Sequence, residues 1–332
     1  MNLDKTRKQS TLNNRILRVA LTVFSLFFLA QQLFFKYDFN ELLQPFQFIG
    51  KSTYLWIYLL LSILLMPLNW LLEAVKWRYL LRNQEHISLR TALSGTLAGA
   101  TISAVSPNRT GDFLARVFVL RKTNFWRGVF ITLIGSYAQT LITLIFGVLA
   151  LIFSFGNKLI ETQYIGSREL ILIYIAYTLA LFVGLLLYFR IHTIESFIPK
   201  KWRRWHWYAE VLNTYHKGAL TWVLAISFFR YTIFSLQFYL AFLAFGVALN
   251  PVDGMLMISI IYLFNTLRPS IALFEIGIRG SIAIFVVSFF VQAEGLLEPA
   301  VFSASTFIWL INIILPALIG LLSFRKLNFF KT

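Results

Sequence analysis

TALSGTLAGATISAVSPNRTGDFLARVFVL, residues 91–120, is the stretch on which the reading of the chain turns. Thr91–Ser106 is small and mostly apolar, Pro107–Gly111 interrupts it, and a shorter apolar run follows with Asp112 and Arg116 inside it. At about 1.5 Å of rise per residue the first half reaches roughly 24 Å and the second roughly 15 Å, against a hydrocarbon core of about 30 Å. Neither half crosses a bilayer by itself. Pro107 has no N–H to donate and turns Ser106 away from helical geometry, so a helix ends there, while Gly111 lets the chain turn and restart. The pattern predicts a helical hairpin that dips into the membrane and returns, or one that lies on its surface. Gly95, Gly99 and Ser103 recur every four residues on one face, the spacing that lets membrane helices approach closely. Irregular backbone at depth must be covered by protein, and this face offers the cover, which favours the re-entrant form.

Composition agrees with a membrane setting. The 332 residues are 58% hydrophobic and 13% charged, with a mean hydropathy of +0.71. Apolar runs of about twenty residues exclude a soluble globular protein and predict an all-α polytopic membrane protein. No stretch is long or polar enough for a soluble domain, so residues 1–332 read as one membrane domain. The absence of cysteine excludes disulfides and thiolate chemistry, and His86, His192, His206 and His216 show no paired ligand spacing, so no metal or other cofactor is expected. The net charge of +16 sits in loops between apolar runs. That placement points to anionic lipid and not to nucleic acid.

Six full crossings are expected: Ile16–Phe35, Tyr54–Leu72, Gly128 to about Phe155, Leu170–Phe189, one within Ala219–Leu249, and Ala300–Phe324. Glu73, Lys76, Trp77 and Arg78 read as the interfacial close of the second. Gly254–Leu267 and Gly280–Val291 are again too short to cross, and they flank Arg268–Arg279 as a second hairpin. Trp202, Trp205, Trp207 and Tyr208 lie among lysines and arginines in the loop after Phe189, a composition that suits a membrane interface.

Lysine and arginine are biased to one side. With the N-terminus inside, the cytoplasmic segments hold five in 1–18, four in 73–90, five in 91–127, six in 190–217 and three in 325–332. The outer loops hold Lys36, Lys51, Lys158 and Arg168. Both termini are therefore expected in the cytoplasm, with the first hairpin entering from the cytoplasm and the second from outside. Opposed hairpins in two halves are the pattern of inverted-topology transporters, whose substrate site lies near the midplane between the repeats.

Ionisable residues within membrane segments are costly, so each is a candidate for a cavity or a partner. Asn108, Arg109, Asp112 and Arg116 sit at the first break, Arg268, Glu275 and Arg279 around the second, and Arg230 within a crossing. They read as a polar path for a lipid head group, the arginines attracting phosphate. The starts of half-helices near Gly111 and Gly280 would add partial positive charge. Asp112 with Arg116, and Glu275 with Arg279, are one turn apart and equally well neutralise each other. Arg109, Arg230 and Arg268 have no acid nearby in sequence and are the stronger phosphate candidates. Asn69, Gln139, Gln237, Asn265 and Asn312 are explained as well by hydrogen bonds between helices.

Pro107-Asn108-Arg109-Thr110-Gly111-Asp112, with Arg116 four residues on, resembles the Pro-x-Arg-x-Gly-(Glu/Asp)-x-x-x-Arg signature of the lysylphosphatidylglycerol synthase transmembrane family, also called flippase-like proteins. A late segment of that family has Pro followed by Gly-Gly-x-Gly and a Glu. Here Pro269 is followed by Glu275-Ile276-Gly277-Ile278-Arg279-Gly280, in which Gly277 fits, Gly280 occupies the usual Glu position and the acid comes earlier. The resemblance implies a multi-pass protein of the bacterial cytoplasmic membrane that moves or supplies polar lipids. Its larger members, the multiple peptide resistance factors, join such a domain to a soluble aminoacyl transferase. No such part occurs before Thr332, so lipid aminoacylation is not expected. The expected partners are a membrane phospholipid or lipid-linked substrate, together with a second copy of the chain or a lipid-processing enzyme. A lipid translocase is the leading reading. A membrane-embedded transferase, using Glu73, Asp112 or Glu275, and a scaffold subunit for a lipid- or glycan-modifying enzyme are the alternatives. No phosphate-binding P-loop is present, which disfavours direct use of ATP.

Overall fold

The computed structural model describes residues 53–106, 110–199, 201–247, 249–267, 275–291 and 297–326, together with Ile16, Val19, Ala20, Val23 and Phe27. Those five are helical and stand within the first expected crossing, most of which lies outside the described residues. Among the described residues the secondary structure is helical throughout, and five helices are long and apolar enough to cross a membrane.

Helix α1 spans Thr53–Leu81, α2 Leu89–Val105, α3 Gly111–Val117 and α4 Phe125–Ala150. Helix α5 spans Ser167–Phe189, the short α6 Arg203–Ala209, α7 Lys217–Ala244 and α8 Pro251–Leu267. Helix α9 spans Glu275–Ser288 and α10 Leu297–Trp309. Both α4 and α10 run on through a π turn, Leu151–Phe155 and Leu310–Ile314, into a further helical stretch. The five long spans are α1, α4, α5, α7 and α10 with their continuations, matching the expected crossings after the first.

Helices α2 and α3 form the first short pair. Ser88 caps α2, its Oγ accepting from Thr91 N at 3.1 Å. Ser106 ends the helix in extended geometry, as the following proline requires, and its Oγ accepts from Gly111 N at 2.8 Å, tying the end of α2 to the start of α3. Helix α3 stops at Val117 because the next three N–H groups reach back only three residues, Phe118 to Ala115, Val119 to Arg116 and Leu120 to Val117. A Cβ on Gly95 would stand 2.7 Å from the Trp77 ring of α1, and one on Gly99 would stand 2.9 Å from the Asp112 backbone oxygen of α3. From the other side, a Cβ on Gly320 would collide with the Leu97 carbonyl, and Thr101 Oγ1 donates to Ala317 O at 2.7 Å. The hairpin is packed in protein on these faces, as its small residues predict.

Two expectations are corrected. Glu73, Lys76 and Trp77 do not close a span at the interface: α1 continues to Leu81 and buries them at 5%, 1% and 1% exposure. The segment contains no helix breaker after Pro67, and its charges are neutralised from other helices. The second short pair also begins earlier on both sides, at Pro251 and at Glu275 instead of Gly280. An acid suits the first turn of a helix, and Glu275 gains a partner one turn on in Arg279. Gly280 instead sits inside α9, facing Phe302 of α10.

The loops around α6 gather the aromatics of the basic stretch after Phe189. Trp126 lies 5.0 Å from Trp205 between ring centroids, and Arg127 stands 4.0 Å over the Trp207 ring. Glu85 binds the strand of chain leaving α3, accepting from the backbone N of Arg121, Lys122 and Thr123 at 2.9–3.0 Å. Its burial alone would raise its pKa, but the donors from Arg121, Thr123 and Lys122 outweigh that and hold the carboxyl below the usual range.

Candidate functional site

One cavity of about 750 Å³ is walled by side chains of both short pairs and of α1, α4, α7 and α10. Ser103, Asp112 and Arg116 enter from the first pair, Asn265 and Arg279 from the second. Its size is that of small-molecule sites, about 300–1,000 Å³.

Its charged floor is organised by a residue whose sequence context alone points to the membrane surface. Glu73 Oε1 accepts from Arg116 Nη1 at 2.5 Å, and Glu73 Oε2 accepts from Arg230 Nη1 and from Lys76 Nζ, the latter at 2.8 Å. Arg116 also forks onto Asp112, Nε to Oδ1 at 2.8 Å and Nη2 to Oδ2 at 2.6 Å. Lys76 completes its donors with Gly135 O at 3.2 Å and Ser227 Oγ at 3.4 Å. Arg230 gives Nε to Asn69 Oδ1 at 2.9 Å and Nη1 to Gln139 Oε1 at 3.2 Å as well as to Glu73. Its Nη2 donates to no acceptor among the described residues. Burial of these charges is tolerable because each is paired and hydrogen-bonded.

The eight residues singled out by sequence divide into three groups. Arg116 and Arg230 meet at Glu73, and Asp112 is paired with Arg116. Glu275 and Arg279 form a separate pair, Arg279 Nε and Nη2 both reaching Glu275 Oε1 at 3.0 and 2.7 Å, with Arg279 in the cavity wall. Asn108, Arg109 and Arg268 lie outside the described residues. Arg230 is not without an acid: α1 and α7 pack side by side and bring Glu73 to it across 157 positions of sequence. Among the described residues around the cavity, the carboxylates Glu73, Asp112 and Glu275 face Lys76, Arg116, Arg230 and Arg279, leaving one net positive charge.

Polar residues of the spans, most of them assigned by sequence to hydrogen bonds between helices, complete the site. Asn69 and Gln139 hold Arg230, while Gln237 and Ser62 join α7 to α1, Gln237 Nε2 donating to Ser62 O at 2.8 Å. Lys76 could have been found from its place three residues after Glu73 in an unbroken helix. The arrangement offers cationic donors fixed by buried acids, and among the described residues no group of three or more His, Cys, Asp or Glu is placed to hold a metal ion.

The family model described as the lysylphosphatidylglycerol synthase TM region matches residues 15–320. The chain belongs to that family. It is a multi-pass membrane protein of a lipid-related family, as the motif at Pro107–Arg116 had implied. No curated protein and no solved structure matches it.

Proposed function

We propose that this family member is a polar-lipid translocase of the bacterial cytoplasmic membrane, passing an anionic head group through the cavity between its two short helix pairs while the acyl chains stay in lipid. The observation that carries the reading is the convergence of both pairs on one polar cavity where Arg230 keeps Nη2 available. A guanidinium matches two oxygens of a phosphate, and removal of water from the wall strengthens that contact. Arg109 and Arg268 belong to the same path in this reading, one at each chain break. The short pairs act as re-entrant hairpins entering from opposite sides, and both termini face the cytoplasm.

The transferase alternative needs an available acid or base, and Glu73 has both oxygens taken by three cations. A scaffold has no need of buried charge at all. The test is exchange of head-group-labelled phosphatidylglycerol between leaflets of proteoliposomes. Exchange faster than in protein-free vesicles is the expected result, and equal rates would contradict the proposal.

A further inference from the structure

The part of the cavity wall that α10 supplies has a different character. Ser305, Ile308, Trp309, Asn312 and Ile313 line it from α10 and its π turn. The turn has a cause in sequence: Pro316 has no N–H for the carbonyl of Asn312 four residues back and crowds it, so the helix widens there. Asn312 is 7% exposed, yet neither its Nδ2 nor its Oδ1 has a hydrogen-bond partner. Trp309 Nε1 and Trp70 Nε1, from the same cavity lining, are also without one. Trp309 packs in a cluster with Ala104 of α2 and Ile276 of α9, so the wall stands where the two short pairs come together. A buried donor or acceptor left unmade costs more than a made one contributes. Several on one wall of a cavity call for a ligand that supplies their partners.

We propose that this wall binds the uncharged, hydroxylated part of the head group, a glycerol or sugar, whose phosphate meets Arg230; the inference rests on the translocase reading. Hydroxyls both donate and accept, matching the Trp309 indole N–H and an amide that offers one of each. An ammonium would find only the neutral oxygens of Asn312 and Ser305, beside a site of net positive charge. A carboxylate would leave Asn312 Oδ1 without a donor.

The comparison that decides this is phosphatidylglycerol against phosphatidylpropanol, which carry the same phosphodiester with and without hydroxyls. Each is titrated into the full chain in phosphatidylcholine nanodiscs. Wild-type protein is expected to bind phosphatidylglycerol about tenfold more tightly, the effect of losing one or two hydrogen bonds. Trp309→Phe, which keeps an aromatic ring, and Asn312→Leu are each expected to bring the ratio towards one. Soluble glycerol phosphate is expected not to compete at equal concentration. Equal wild-type affinities overturn the hydroxyl subsite and leave the phosphate reading intact, whereas binding of neither lipid overturns both. Discrimination that survives in both variants also overturns the assignment of this wall, and competition by glycerol phosphate as strong as by the lipid overturns its lipid source.

Discussion

Glu73 and Arg230, 157 positions apart, form a buried ion pair between α1 and α7, and Arg116 of the first short pair shares the same carboxylate. The charged floor of the cavity is thereby fixed by three separate parts of the chain, and Glu73 is its common point.

Glu73→Gln should strip three cations of their shared counter-charge. Breaking one buried pair costs about 3–5 kcal/mol, so a large fall in thermal midpoint in detergent is expected. Combining it with Arg230→Gln should recover part of the loss. A single mutant as stable as wild type would show that the pairing contributes nothing.

Gly99 and Gly277 separate packing from sequence pattern. A Cβ at Gly99 would lie 2.5 Å from Asp112 Oδ1, whereas one at Gly277 meets nothing within 4 Å. Gly99→Leu should reduce folded yield and displace Asp112 from Arg116. Gly277→Ala should be neutral or stabilising by about 0.5–1 kcal/mol through helix propensity. Folded yields measured by size-exclusion chromatography check both, and equal yields would contradict the close contact.

Glu85 gives a pH signature outside the membrane. Its pKa is lowered in the folded protein from the ordinary 4.5, so its contribution is full above that value and is lost as pH falls through the depressed one. Glu85→Gln should therefore lower the thermal midpoint at pH 6, and its difference from wild type should shrink below pH 4.5. A difference that does not change with pH would exclude the carboxylate as its source.

A chain with no cysteine reports its orientation cleanly. Single cysteines at Lys201 and Gln163 should be labelled by an impermeant thiol reagent from opposite faces, Lys201→Cys from the cytoplasmic one. Labelling of both from one face contradicts the arrangement.

The two short helix pairs were legible because their signals are local: Pro107 ends one helix, Gly111 permits the next, and the runs are too short to cross. The packing of α2 was legible for the same reason, through Gly95 and Gly99. The role of Glu73 was not, because a Glu, a Lys, a Trp and an Arg after an apolar run have the composition of an interface. What makes them interior is Arg116 and Arg230, 43 and 157 positions away. Arg230 has no acid near it in sequence, and its pairing with Glu73 was hidden by the same non-locality. Asn312 had a local signal in Pro316 that spoke to helix geometry but not to the cavity beside it.

Arg230→Lys tests the central claim most directly. Lysine keeps the positive charge opposite Glu73 but lacks the planar fork that leaves a second donor for phosphate. Leaflet exchange of head-group-labelled phosphatidylglycerol is measured in proteoliposomes, with the thermal midpoint recorded on the same preparations. The account predicts a retained midpoint with exchange slowed at least about tenfold, the equivalent of one charge-assisted hydrogen bond. Exchange at the wild-type rate by a folded Arg230→Lys protein would contradict it.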